Sequence, residues 1–340
     1  LIKKGEIGYI QKFKIKTKQN PHSSIKSKDV NVTNIIGYCD NQQNETIVIG
    51  AHYDHIGFGE YGSLYTGVKD IHNGADDNAS GVSVLIRLID KLCSNKLYNY
   101  LFIAFSGEEM GLLGSSYFVE NPTIDLSKIK FMINFDMVGR LNEKNGFAIN
   151  GVGTSSKWHN LIDSTNKQFN SKIIKSESGI GPSDHSSFYL KDIPVLHFFT
   201  GQHEDYHKPS DDVEKINFDG MYMIMNFVDQ LIVNSTSIKD FDFQETKHTN
   251  TQTPSFSVTL GIMPNYLYDG EGLKVDGVIQ NKTAYTGGVL KGDIIKKMGN
   301  IEIKDIYEYM GALNQFSVTD STSIVIDRNG EIIILPIIFK

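Results

Sequence analysis

The chain has 340 residues, 40% of them hydrophobic and 21% charged, with a formal net charge of −7. That length suits two domains, one large and one small, and the acidic balance argues against a nucleic-acid binder relying on a basic surface. Two cysteines, Cys39 and Cys93, exclude a disulfide framework and a cysteine-ligated zinc site but leave one bridge open, while ten histidines and forty acidic residues supply nitrogen and oxygen donors.

The sequence opens at Leu1 with neither an initiator methionine nor a signal-peptide pattern, which suggests a trimmed product whose compartment is not legible directly. No run is long and apolar enough to predict a membrane span. Residues 1–45 are lysine-rich and alternate at Ile7-Tyr9 and Phe13-Ile15, predicting edge strands joined as a hairpin. A buried strand over 46–51 then delivers His52-Tyr53-Asp54-His55 at its C-terminal end. A loop through Gly57, Gly59, Gly62 and Gly67 leads to Asn73-Gly74-Ala75-Asp76-Asp77-Asn78-Ala79-Ser80-Gly81. There a helix opens, with apolar positions at Val82, Leu85, Ile86, Ile89 and Cys93. Leu101-Phe102-Ile103-Ala104-Phe105 predicts a buried strand running into Gly107-Glu108-Glu109-Met110-Gly111, with a short helix behind it. Further strands are expected over 129–135, ending on Asp136, over 147–150 and over 193–199, with helices over 156–169 and 221–233. The strand over 193–199 feeds a polar loop that contains Tyr206-His207-Lys208-Pro209.

Strands alternating with helices predict an α/β sandwich with a mostly parallel central sheet, whose ligand site lies outside the carboxyl ends of the strands. Residues 1–234 form this domain, and the polar stretch 235–254 reads as a linker. Short strands over 256–260, 273–279, 294–298, 324–326 and 332–338, with a helix over 306–313, predict a separate small β-rich domain over 255–340.

Two adjacent glutamates at a strand end repel each other and are costly near a core unless something positive compensates them. A metal ion does so most commonly, and the candidate ligands are His52, Asp77, Glu109, Asp136 and His207. Taken singly, each has a plainer reading: a hydrogen-bonded core histidine, a helix cap at Asp76-Asp77-Asn78, a buried salt-bridge partner at Asp136. Their joint occurrence at equivalent places in the topology is not explained that way. Five groups fit two ions if one carboxylate bridges, and a shared water would then be the nucleophile, its pKa lowered to roughly 7. Glu108, beside a ligand, can reach that water as general base, and Asp54 can orient the His52 imidazole. Asp76, Asp211 and Asp212 are read as turn or cap residues.

The set His52-Tyr53-Asp54, Gly74 through Gly81, Ser106 through Gly111, Asn134-Phe135-Asp136-Met137 and Tyr206-His207-Lys208-Pro209 resembles the dizinc aminopeptidase family. That family includes secreted bacterial leucine aminopeptidases, aminopeptidase Y, glutamate carboxypeptidase and glutaminyl cyclase, and the likeness covers about residues 30 to 233. It implies a three-layer α/β/α zinc exopeptidase fold holding two Zn2+ per chain, acting on peptides in a secreted or periplasmic setting. It also implies that Asp77 bridges and is joined to Asn78 by a cis peptide bond. His52 and Asp136 would share one zinc, and Glu109 and His207 the other, with Glu108 as general base. Tyr206 resembles the tyrosine that in some members hydrogen-bonds the tetrahedral intermediate. Ser183-Asp184-His185 matches a supporting motif, and Lys208 stands where many members have threonine.

Gly288-Val289-Leu290-Lys291-Gly292-Asp293-Ile294-Ile295 with Met298-Gly299-Asn300 resembles a PDZ domain of the protease-associated kind, and Leu260, Gly261, Ile262 and Met263 look like its carboxylate-binding loop. Such a groove would take C-terminal peptides as an added strand. Against an aminopeptidase stand three alternatives: a carboxypeptidase with the same metal motifs, a one-zinc glutaminyl cyclase, and a non-catalytic peptide-binding protein acting through the PDZ-like domain.

Overall fold

Apolar runs bounded by polar loops become the middle of an eight-stranded sheet in the computed structural model, which describes residues 6–16, 29–60, 62–246, 258–265, 268, 270–278 and 281–340. The strands are β1 (Glu6–Lys16), β2 (Asp29–Cys39), β3 (Thr46–His52), β4 (Asn99–Phe105), β5 (Ile129–Phe135), β6 (Phe147–Asn150), β7 (Ile173–Ser176) and β8 (Val195–Phe199). They lie in the order β1-β2-β4-β3-β5-β8-β6-β7. β4, β3, β5 and β8 run parallel, whereas β1 with β2, β2 with β4, and β6 with β8 pair antiparallel. The mixed sheet agrees with the expected class. β2 differs from expectation in lying inside the sheet, between β1 and β4, because its apolar Ile36 and Val32 are buried.

Successive strand residues point to opposite faces, and both faces here are covered, which is why these strands read as continuous apolar runs. Ile47, Ile49, Tyr100, Phe131 and Ile133 pack against α1 (Gly81–Asn95), α3 (Trp158–Phe169) and α5 (Phe218–Ser235) through Leu88, Leu92, Trp158, Ile162, Phe227 and Leu231. Val48, Leu101, Ile103 and Met132 pack on the other face against Phe118 of α2 (Leu113–Glu120) and Phe188 of α4 (His185–Tyr189). The result is three layers. Leu88 is fully buried, and truncating it to alanine costs about 2–5 kcal/mol. Cys39, ending β2, forms a disulfide with Cys93 of α1 across a Cα separation of 5.7 Å.

The chain divides into two compact units, Leu1–Thr200 with His207–Thr246 and Gly201–Tyr206 with Lys247–Lys340. The first half of the expected linker is therefore not a spacer. Phe241 packs on Phe131 and Trp158, Phe243 on Tyr189, and Asp242 accepts hydrogen bonds from Ser155 and Ser156. Residues 247–254 of that linker, the start of the expected strand over 256–260, and the lysine-rich stretch 17–28 lie outside the described residues.

The second unit carries a sheet of β9 (Ile262–Pro264), β10 (Leu273–Val278), β11 (Ile294–Met298), β12 (Ile301–Glu302), β13 (Ser321–Arg328) and β14 (Glu331–Ile338), with α6 (Thr283–Gly287) and α7 (Ile306–Leu313). Its order is β14-β13-β11-β10-β9, with β12 on β11. Leu273, Val275, Ile295, Ile324 and Ile326 form its core. Asp293 is buried and grips Arg328 at both oxygens, at 2.7 and 2.8 Å, while Oδ2 also accepts the Leu290 N–H at 2.8 Å. This folds the 288–293 turn onto β13.

Candidate metal centre

The carboxyl ends of the parallel strands bring distant donors together. His52 ends β3, Glu108 and Glu109 follow β4, Asp136 follows β5, and His207 lies in the loop after β8. Asp77 comes from a tight turn, Ala75–Ser80, that opens α1, and its peptide bond to Asn78 is cis. Gly81 allows this turn to close on β5: a Cβ there would stand 2.6 Å from the Phe135 carbonyl oxygen.

Each histidine is held by its far nitrogen. His207 Nδ1 lies 2.8 Å from the Gly62 carbonyl oxygen and His52 Nδ1 3.2 Å from that of Asp54. A carbonyl only accepts, so both rings carry their proton on Nδ1 when neutral and turn an Nε2 lone pair inward. His52 Nε2 lies 3.3 Å from Asp77 Oδ1 and 3.2 Å from Asp136 Oδ1. His207 Nε2 lies 3.2 Å from Asp77 Oδ2 and 3.1 Å from Glu109 Oε2. Donors bonded to one tetrahedral ion at 2.0–2.2 Å are about 3.3–3.6 Å apart, close to these separations; His52, Asp77 and Asp136 form one group that could hold a metal ion, and Asp77 and Glu109 form a second with His55. Asp77 belongs to both.

The electrostatics follow from crowding. Burial pushes the Glu109 carboxyl up, but hydrogen bonds from His207 and His55 overcome it and hold it down at about 2. Burial pulls His207 down, but Asp77 and Glu109 outweigh that and raise it to about 10. His52 is likewise raised well above the usual imidazole range, with Asp136 and Glu108 overcoming its burial. Glu108 goes the other way: burial pushes it well up, the Asp136, Asp184 and Glu109 carboxylates add to this, and His52 opposes them.

Two placements depart from the sequence reading. The Asp54 carboxylate is 3.9 Å from the His52 ring, and its nearer contacts are the backbone N–H groups of Glu108 and Glu109, at 3.2 and 3.3 Å. Asp54 therefore holds the glutamate turn, because the strand end presents its carbonyl, not its side chain, to the imidazole. His55, absent from the predicted set, lies with Nδ1 2.7 Å from Glu109 Oε1. Its only sequence signal is its place in His52-Tyr53-Asp54-His55. Asp184 and His185 are fully buried, the His185 ring stacking on His197 with centroids 4.6 Å apart, and burial raises Asp184 to about 7. Tyr206 immediately precedes His207, and its N–H closes a turn onto the His203 carbonyl at 3.1 Å.

Comparison with known proteins agrees with this arrangement. Aminopeptidase YwaD of Bacillus subtilis is 31% identical over 186 residues, covering 51% of this chain and 37% of that protein. The chain spans roughly a third to a half of the length of the curated relatives it matches. The structure of BSAP, a zinc aminopeptidase from Bacillus subtilis, matches at a TM-score of 0.50 and 27% identity, covering 65% of this chain and 55% of that one. A Zn-dependent exopeptidase from Parabacteroides distasonis matches at a TM-score of 0.57 and 18% identity, covering 67% and 84%, a likeness of fold. The model of Peptidase family M28 matches residues 34–232, from β2 through α5 and so across every donor named above. This chain belongs to Peptidase family M28.

Proposed function

We propose that the chain is a metal-dependent aminopeptidase that removes N-terminal residues from peptides at a two-zinc centre. Asp77 carries the proposal, since its two oxygens face different imidazoles at 3.3 and 3.2 Å. His52 and Asp136 would hold one ion and His207 and Glu109 the other, with Asp77 shared. Zinc bound there supplies Lewis-acid polarisation of the scissile carbonyl and lowers the pKa of a water to roughly 7. Glu108 suits the proton shuttle: next in the chain to the donor Glu109 and held at its backbone by Asp54, its carboxylate would take a proton from the attacking water and return it to the leaving amine. Asp54 fixes the backbone of Glu108, and Tyr206, next in the chain to His207, would be the group that stabilises the carbonyl oxygen as it gains charge. The surrounding carboxylates would bind a free substrate α-amino group, which selects chain ends. Aminopeptidase YwaD and BSAP support the amino-terminal choice by their names.

The disulfide supports a secreted or periplasmic setting, since such bonds persist in oxidising compartments. The second unit is read as PDZ-like, with Leu260, Gly261, Ile262 and Met263 capturing a peptide carboxylate. Among the described residues β9 lies at the end of its sheet, where a peptide strand could be added.

The test is zinc stoichiometry together with hydrolysis of aminoacyl-nitroanilides. Two ions per chain, and activity lost on chelation and in Glu108→Gln, are expected. A single ion, or full activity in the variant, sinks the mechanism. Removing residues from 250 onward should weaken cleavage of long peptides more than of nitroanilides, and equal activity on both rules out the groove's part.

A further inference from the structure

The loops of Asp77, Asp136 and His207 meet at one buried carboxylate that the chemistry above does not use. Asp211 follows His207 by four residues, and its side chain is 1% exposed. Its Oδ2 accepts the backbone N–H groups of Asp76 at 2.8 Å and of Asp77 at 3.1 Å, and its carbonyl accepts that of Ala75 at 3.1 Å. Its Oδ1 takes Arg140 Nη2 at 2.9 Å. Arg140 follows Asp136 by four residues and is itself largely buried. Asp211 also closes the turn behind His207, donating its N–H to the Lys208 carbonyl at 3.1 Å.

The other flank of the Asp77 turn is already fastened to β5 and the residues after it. Asn78 Nδ2 donates to the Phe135 carbonyl at 2.9 Å, and Ser80 Oγ and Asp76 Oδ1 accept the N–H groups of Val138 and Gly139 at 3.0 and 2.6 Å. Asp211 holds the remaining flank at Ala75, Asp76 and Asp77, with the neighbouring Asp212 accepting from Asn73 Nδ2 at 2.6 Å. A buried carboxylate is costly unless paired and hydrogen-bonded; Arg140 supplies the pairing, and the hydrogen bonds go to the backbone of a proposed metal donor.

We infer that Asp211 is a positioning residue for the metal centre: with Arg140 as its counter-charge, it fixes the backbone of Asp77 so that the carboxylate stays between His52 and His207. The inference rests on the two-zinc reading. Without this clamp the donors remain but Asp77 can swing, so metal affinity falls while the fold stands.

The test measures zinc affinity by competition with a chromophoric chelator, beside thermal unfolding of the zinc-free chain. Zinc-free Asp211→Asn should unfold as cooperatively as wild type yet bind zinc about 10–100-fold more weakly. For an aminoacyl-nitroanilide, kcat should fall with little change in KM. Arg140→Lys, which keeps the counter-charge, should recover most of the affinity that Arg140→Met loses. Wild-type zinc affinity in Asp211→Asn overturns the assignment. Should that variant not fold, equal affinity in the two Arg140 variants overturns it instead. A wild-type chain that takes up no zinc overturns the two-zinc reading, and the clamp with it.

Discussion

Glu109 Oε1 lies 2.7 Å from His55 Nδ1, so the carboxylate whose other oxygen faces His207 is braced from behind by a second imidazole. The brace and the proposed donor can be told apart. His55→Ala should keep the full zinc stoichiometry and lose about 10–100-fold in affinity, the usual cost of removing a partner behind a ligand. His207→Ala should lose one ion outright. Metal analysis after dialysis checks both, and a lost ion in His55→Ala would make His55 the donor.

Zinc uptake should expel protons. In the metal-free chain His207 is held at about 10 and His52 well above the usual range, so both rings are charged at neutral pH. Coordination needs neutral imidazoles, so each ion must displace a proton, and affinity rises with pH up to those raised values. Calorimetric titration in buffers of differing ionisation enthalpy should give about one proton released per histidine. A buffer-independent heat contradicts it.

Glu108→Gln should slow hydrolysis by about 10²–10⁴-fold, the usual worth of general acid–base catalysis, while leaving zinc binding intact. It should also stabilise the metal-free protein. The Glu108 carboxyl is raised in the fold above its unfolded value, so the folded chain holds that proton more tightly. Stability is then lost as pH climbs from the unfolded value toward the folded one. Glutamine removes that loss. Melting temperatures of the two metal-free chains should diverge at pH 7, the variant higher, and converge near pH 4.

Reducing the Cys39–Cys93 bond, which spans a sequence separation of 54, should cost about 2–4 kcal/mol. Denaturant unfolding with and without reductant measures it, and coincident curves would show that the bridge adds nothing.

The strands and most of the centre were legible because each used a signal that survives in one dimension. Buried parallel strands read as apolar runs, and His52, Glu108, Glu109 and Asp136 stand where such runs stop. What escaped has no local signature. Asp211 is one aspartate in a polar loop, and its partners are backbone N–H groups some 135 residues away. His55 has no periodicity to mark it. α4 is a short helix with three polar residues, and Ile238, Phe241 and Phe243 are the sparse apolar signs that 236–246 is packed. Asp54 was placed beside the right residues, but its carbonyl lies nearer the imidazole than its carboxylate, since which group comes closer depends on the backbone path at the strand end.

Strand β8 lies between β5 and β6 although it is made after both. A growing chain therefore cannot complete its parallel centre until residue 199 has emerged from the ribosome, and the last donor follows at 207. The proposed metal centre can therefore be completed only after residue 207 has been made. A chain that stops short of residue 207 lacks a donor to the proposed second ion, and the proposed chemistry with it.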